Sequence, residues 1–267
     1  MNKDLTVIIV EYKNTRVTRE AVRSVRDCVT ILDHEIIVIS NSSYNAQEKN
    51  EFLRDFADVI VIFNAENAGF AKAVNQGIKV SKSKFILLLN PDAKLLDESI
   101  SLAINFMDNH ENVGIAGPKT VDWSGCIQDS CRSFLTLKGL FERTWKRISK
   151  QTASILDNMD YERPQSVDWV SGGCMLVRRH AIEEVGLLDE RYFMYLEDMD
   201  WCRRFWLGGW KVWYLPEWTV EHTGERGSTN HFNIMNRLMW IHISSFCKYL
   251  LKWQVGFGYD VKKECAR

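Results

Sequence analysis

Short apolar runs alternating with segments of helical spacing predict an α/β chain built on a mostly parallel central sheet flanked by helices. Two features carry this expectation. The runs at 5–10, 35–40 and 85–89 are apolar almost throughout, so both sheet faces need cover. Each is followed by a polar or glycine-bearing loop and then by a helical pattern. The 267 residues are also enough to bury a sizeable core.

In order, Leu5-Thr6-Val7-Ile8-Ile9-Val10 is a first strand, and Thr15–Cys28 places Val17, Ala21, Val22 and Val25 on one helical face. EIIVIS at 35–40 is a second strand, followed by a polar loop and a helix through Phe52 and Phe56. A third strand covers 59–63. Asn67-Ala68-Gly69 then opens a helix with Ala71, Val74 and Ile78 inward. FILLL at 85–89 is the most apolar strand and runs into Asn90-Pro91-Asp92, where proline must end the strand or edge the sheet. A helix is expected over 95–110 and a short strand over 113–117. Further on come a strand at 174–177 behind Gly172-Gly173, a short helix at 179–185 and a helix from the Glu197-Asp198 region to Leu207. Strand-like 211–215 follows the Gly208-Gly209 stop.

Charge and composition exclude several classes. Lys plus Arg is 34 and Asp plus Glu is 35, a formal charge of −1, so a net-basic nucleic-acid binder is not indicated and no nucleic-acid partner is expected. Seven Cys with no CxxC pair favour free reduced thiols over a zinc site. The first apolar run is too short for a signal peptide and no uncharged run reaches spanning length, which points to a cytoplasmic location. No GxGxxG follows the first strand, so the dinucleotide fingerprint is absent. Of ten Trp residues, Trp201, Trp206, Trp210, Trp213, Trp218, Trp240 and Trp253 lie in the last quarter, where they can fill core or offer aromatic faces to a ligand.

In parallel α/β sheets ligands bind at the carboxyl ends of strands, so the loops after Val10, Ser40, Phe63 and Leu89 are searched first. Asp92 could hold a hard divalent cation; alone, Asn-Pro-Asp reads as a turn or helix cap. Gly69 lets backbone approach a ligand and Lys72 adds charge beside a helix N-terminus, or the segment is an ordinary helix start. Glu197-Asp198-x-Asp200 places three carboxylates where each raises its neighbours' pKa, the setting of a general base. The same residues also suit an acidic first helical turn, with Arg203 and Arg204 as ion-pair partners. His222, after strand-like 218–220, is a lone candidate ligand, and a Gly- and Arg-containing segment follows it.

Taken in order, the set VIIVEYKN (7–14), NAGFAKAVN (67–75), LLLNPDA (87–93), DWVSGGCMLVRR (168–179), FMYLEDMDWCRR (193–204) and His222-Thr223-Gly224 resembles the inverting family 2 glycosyltransferases of the GT-A fold. The resemblance is to their rhamnosyltransferase-like members. It implies a Rossmann-like GT-A domain over 1–230, with a nucleotide-sugar half at 1–120 and an acceptor half at 121–230. A C-terminal helical extension then covers 231–267.

The resemblance implies donor contacts at Glu11, Tyr12, Ser40 and Asn41, then at Asn67, Gly69, Phe70, Lys72, Asn75 and Asn90, with Arg226 closing over phosphate. Asp92 and His222 would hold Mg²⁺ or Mn²⁺, and Asp198 would be the catalytic base. Trp169, Gly172, Gly173 and Glu197 would form the acceptor side. The implied partners are a dTDP- or UDP-sugar donor, with rhamnose leading, and a saccharide or lipid-linked acceptor. Three departures from the family pattern are Ser40 in place of an acid before Asn41, Asn45 in place of a second acid, and Asn90-Pro91-Asp92 in place of Asp-x-Asp.

The basic stretch 132–150 and the aromatic run 234–251 suggest peripheral contact with an anionic membrane face; core packing or a homo-oligomer interface is the alternative. Two other functions fit parts of the pattern. One is a catalytically silent nucleotide-sugar-binding protein, which Ser40 and Asn90 favour. The other is a sugar-nucleotide nucleotidyltransferase, which would want a Gly-rich basic loop after Val10.

Overall fold

The computed structural model describes residues 3–134, 159–223 and 237–253. The first half runs β1 (Leu5–Glu11), α1 (Thr15–Cys28), β2 (His34–Ser40), α2 (Ala46–Asp55), β3 (Ile60–Phe63), α3 (Phe70–Val80), β4 (Phe85–Leu89), β5 (Ala93–Leu95) and α4 (Ile100–Asn109). The remainder runs β6 (Val113–Val121), β7 (Ile127–Gln128), β8 (Cys131–Arg132), β9 (Gln165–Ser166), β10 (Trp169–Val170), β11 (Cys174–Arg178), α5 (Arg179–Val185), α6 (Glu197–Leu207), β12 (Lys211–His222) and α7 (Arg237–Trp253). The main sheet has the order β3-β2-β1-β4-β11-β6-β12-β5, with β7 beside β6 and β9 beside β12. β3, β2, β1 and β4 are mutually parallel, and β6 is parallel to β12. β11 is inserted antiparallel between β4 and β6, and β5 closes the far edge antiparallel to β12.

Side-chain alternation explains why fully apolar strands are needed. Leu5, Val7 and Ile9 of β1 join a core layer with Ala21, Val22 and Val25 of α1, Phe52 of α2 and Met107 of α4. Ile8 of the same strand joins the opposite layer with Val74 and Ile78 of α3, Ala181 of α5 and Trp201 and Phe205 of α6. Each such aliphatic side chain contributes about 1.5–3 kcal/mol on burial, so both layers of the sandwich are needed. The late tryptophans are mostly core: Trp201, Trp206, Trp210 and Trp218 are all buried.

Local signals set the helix starts. Asn14 accepts from Val17 N to cap α1. Asn45 and Glu48 form a reciprocal capping box on α2, with bonds of 3.0 and 2.8 Å. On α1 the fourth inward position is Thr18, while Val17 is only half-buried.

Two elements differ from the sequence expectation in ways that matter for the site. Leu95 ends β5, and the helix expected from 95 begins at Ile100. The strand expected at 211–215 continues to His222, crossing Pro216 through a register shift between Leu215 and Thr219. A bulge removes the ladder bond that proline cannot make, so the strand survives it.

Candidate active site

The carboxyl ends of β1, β2 and β4 open on one cleft of about 1260 Å³, walled opposite by the segment before α6 and by α7. At the end of β1, Glu11 is fully buried and accepts from Ser40 Oγ (2.6 Å), Ser42 Oγ (2.8 Å), Tyr44 OH (3.0 Å) and Asn14 N (3.1 Å). These donors satisfy the carboxylate and brace the first two loops against each other. Asn41 Nδ2 reaches Gly69 O at 3.3 Å, and Asn67 Oδ1 accepts from Gly69 N at 3.0 Å, tying the loop after β3 to the same corner. Gly69, at φ +84°, then brings its backbone against Phe193, and Phe70 N donates to Phe193 O at 2.7 Å. The loop after β3 therefore rests on the segment leading into α6.

β5 explains the second constellation. Its antiparallel register with β12 places Ala93 opposite His222, so Asp92 and His222, 130 residues apart in sequence, meet with Nε2 3.2 Å from Oδ1. Thr223 N and Oγ1 both donate to Asp92 O, at 3.0 and 3.1 Å. Burial alone would raise the Asp92 pKa, but the hydrogen bond and charge of His222 outweigh it and hold it below the usual value. Among the described residues no group of three or more His, Cys, Asp or Glu is arranged to hold a metal; this pair offers two ligands.

The three carboxylates of the acidic motif have three different environments. Asp198 lies in the first turn of α6, half-buried at the cleft. Gly172 N donates to its Oδ2 at 2.8 Å and Met199 N to its Oδ1 at 2.7 Å. Burial leaves its pKa raised, although those two N–H groups pull the other way. Glu197 is buried, and its Oε2 has no hydrogen-bond partner among the described residues. Burial first, then the charges of Asp198 and Asp200, push its pKa well above the carboxylate range. Glu197 is therefore the member of the pair that holds a proton more readily, and Asp198, with donors on both oxygens at a helix N-terminus, the one that ionises more readily.

Asp200 is fully buried and bonded to Arg204, Lys252, Trp253 and Tyr192, facing away from the chemistry. The turn that presents the pair is strained: Tyr195 and Leu196 both have left-handed backbones, at φ +71° and +67°.

Residues 3–242 match the family model described as "Glycosyltransferase like family 2". The chain belongs to this glycosyltransferase family. It is 30% identical over 184 residues to the N-acetylglucosaminyl-diphospho-decaprenol L-rhamnosyltransferase of Mycobacterium tuberculosis, a match covering 62% of this chain and 59% of that protein. It is 26% identical over 233 residues to a dTDP-rhamnosyl transferase of Shigella flexneri, covering 83% of this chain and 70% of the relative. The chain thus spans about three fifths of the mycobacterial relative's length. A mannosyltransferase from Pyrobaculum calidifontis, solved with GDP-Man and Mn²⁺, superposes with a TM-score of 0.62 at 13% identity, over 94% of this chain and 65% of that one. The fold is the GT-A glycosyltransferase fold.

Within this glycosyltransferase cleft, Tyr12, Asn41, Asn67, Gly69, Phe70 and Asn90 line the side formed by the strand ends. Trp169, Gly172, Gly173, Glu197 and Asp198 line the other side, with Asp92 between. Four expected donor residues lie elsewhere. Glu11 and Ser40 are buried behind the cleft, bonded to each other. Asn75 is buried and bonds Leu188 O and N and Glu190, holding the loop after α5. Lys72 is exposed on α3 and does not line the cleft.

Asn45, where an acid was looked for, caps α2. Arg226 lies outside the described residues, as do 135–150 of the basic stretch and 234–236 of the aromatic run.

Two cleft features went unread in the sequence. Arg237, Leu238, Ile241, His242 and Phe246 of α7 form part of the wall. Trp123, 79% exposed, stands at the rim on the turn between β6 and β7. Asp122 Oδ1 stiffens that turn by accepting from Ser124 N (2.8 Å) and Cys126 N (3.0 Å). An Asp-x-Ser-Gly turn after a strand was the available signal for it. Among the described residues no helix is long and apolar enough to cross a membrane.

Proposed function

We propose that this glycosyltransferase moves a sugar from a nucleoside-diphosphate donor to a saccharide or lipid-linked acceptor by single displacement with inversion, Asp198 acting as general base. The observation that carries the reading is the division of labour in the acidic motif. Asp198 is held on both oxygens and open to the cleft, while its neighbour Glu197 is buried with Oε2 unpartnered among the described residues and holds a proton more readily. A base held at a helix start opposite the strand ends can take the proton of an acceptor hydroxyl as that oxygen attacks the anomeric carbon. Glu197, as a neutral acid, can donate a hydrogen bond to donor or acceptor.

The strand-end side, with Tyr12, Asn41, Asn67 and Phe70, supports a nucleoside and diphosphate position, and Gly172 and Gly173 leave room on the acceptor side. A Cβ on Gly172 would meet Asp198 at 3.4 Å, so any larger side chain would enter the space in front of the base. Asp92 and His222 suit a divalent ion such as Mg²⁺ or Mn²⁺: one ionised carboxylate and one imidazole, with diphosphate oxygens and water to complete the shell. Such an ion neutralises charge on the departing nucleoside diphosphate. Trp123 offers an exposed aromatic face to an acceptor sugar at the rim.

The relatives' printed names favour rhamnose as the sugar and dTDP as the carrier. Peripheral contact with an anionic leaflet, through 132–150 and the outward side of α7 where Ile243 and Leu251 are exposed, belongs to the same reading. Flotation with anionic vesicles tests that part.

The main test is a panel of nucleoside-diphosphate sugars scored by release of nucleoside diphosphate, with Mn²⁺ and with EDTA. Release from dTDP-rhamnose that EDTA abolishes is expected. Binding without any turnover would favour a silent sugar-nucleotide-binding protein, and release of pyrophosphate from a nucleotide and a sugar phosphate would favour nucleotidyl transfer.

A further inference from the structure

One side of α7 repeatedly meets the segment that carries Glu197 and Asp198. His242 stacks on Tyr195 with ring centroids 4.8 Å apart. Ser245, 1% exposed, donates through Oγ to Met194 O at 2.8 Å. Lys248 Nζ donates to Arg191 O at 2.7 Å. Lys252 Nζ bridges Asp189 Oδ2 (2.7 Å) and Asp200 Oδ2 (2.9 Å), and Trp253 Nε1 donates to Asp200 Oδ1 at 2.8 Å. The spacing 242, 245, 248/249, 252 is that of one helical face.

The placement of these contacts is informative. Those from Ser245 and Lys248 fall before the left-handed pair Tyr195-Leu196, that from Trp253 falls after it, and Lys252 spans it from Asp189 to Asp200. Two consecutive non-glycine residues in that region persist only where their surroundings over-determine them. Asp200 belongs to the same first helical turn as Asp198, so a restraint on one restrains the other.

We propose that α7 is a clasp and that Ser245, Lys252 and Trp253 are positioning residues: they hold the strained turn, and through Asp200 the start of α6, so that Asp198 faces the cleft in its reactive place. The proposal rests on the reading of Asp198 as the base. It adds a role for a helix that composition suggested as a membrane or oligomer element, and it explains the third carboxylate of the motif. The same helix also forms part of the cleft wall, through Leu238, Ile241 and Phe246.

The test uses the full chain with Lys252→Met and Trp253→Phe, Lys252→Arg as the conservative rescue, and Leu102→Ala on α4 as the control away from the cleft, since Leu102 is 53% exposed. Amide hydrogen exchange is read over 191–200, and kcat and donor KM are read with dTDP-rhamnose. Exchange over 191–200 should speed up about tenfold in the first two variants. Their kcat should fall about ten- to hundredfold, the scale of a misplacement near 1 Å, with donor KM within about twofold. Lys252→Arg should recover most of the loss, and Leu102→Ala should match wild type.

Unchanged exchange and kcat in both Lys252→Met and Trp253→Phe overturns the clasp. So does faster exchange spread evenly over the chain with kcat and KM lost together. If wild type turns over no nucleoside-diphosphate sugar, the functional reading fails, and the localised exchange response alone decides whether α7 holds the turn.

Discussion

Gly69→Ala perturbs a residue at which the loop after β3 and the turn before α6 touch backbone to backbone. Its backbone, at φ +84° and ψ 171°, lies in a region essentially reserved for glycine and costs an L-residue about 1–3 kcal/mol. An added Cβ would lie 2.5 Å from Phe193 O and 2.8 Å from Phe193 Cδ2, and because the first is backbone the segment itself must shift. Overpacking of that kind adds about 1–3 kcal/mol. The shift also opens the 2.7 Å bond from Phe70 N to Phe193 O, worth about 1 kcal/mol. The expected loss is therefore about 3–7 kcal/mol.

Gly125→Ala separates the contributions: its φ is +81°, but nothing lies within 4 Å of its Cβ position, so it should lose only about 1–2 kcal/mol. Urea unfolding midpoints of both variants at a common m-value give the comparison, and calorimetric titration gives donor binding. Equal losses at the two glycines would refute the claim that Phe193 and the loop after β3 are locked together.

Glu197→Gln should stabilise the fold near neutral pH. The folded protein holds the Glu197 proton above the ordinary value of 4.5, so stability falls as pH rises from there through the raised folded pKa. The gain should vanish at about pH 4, and thermal melts across pH that show no such trend would contradict the assignment. His222→Ala removes the group that keeps Asp92 ionised against burial. The Asp92 carboxyl pKa should rise by NMR, and the Mn²⁺ concentration for half-maximal activity should increase about ten- to hundredfold. Trp123→Ala should raise acceptor KM about two- to tenfold, the value of one aromatic contact, leaving kcat and donor KM unchanged. A rise in donor KM instead would place Trp123 on the wrong side of the cleft.

Much of the frame is legible in the chain because local pattern and global packing agree. β1, β2 and β4 are apolar on both faces and short, and the sheet buries both faces. β5 is not legible: three residues after a proline carry no period, and only the antiparallel partner β12 defines them. For the same reason no local signal pairs Asp92 with His222, although each is noticeable by type. Glu11 and Asn75 show the opposite failure. Both are polar, near a strand end or in a motif, yet tertiary hydrogen bonds use them up inside the fold. The acidic motif was readable as a cluster but not in its parts, since only burial and partners separate a buried Glu197, an open Asp198 and an anchored Asp200.

Turnover of Asp198→Asn tests the central claim most directly. Asn keeps the size of the side chain and one acceptor oxygen for Gly172 N, and removes the base. With dTDP-rhamnose binding measured alongside, the account predicts donor affinity within about threefold of wild type. It predicts transfer reduced about 10²–10⁴-fold, the contribution of a positioned general base. A folded, donor-binding Asp198→Asn protein with near wild-type turnover would contradict it.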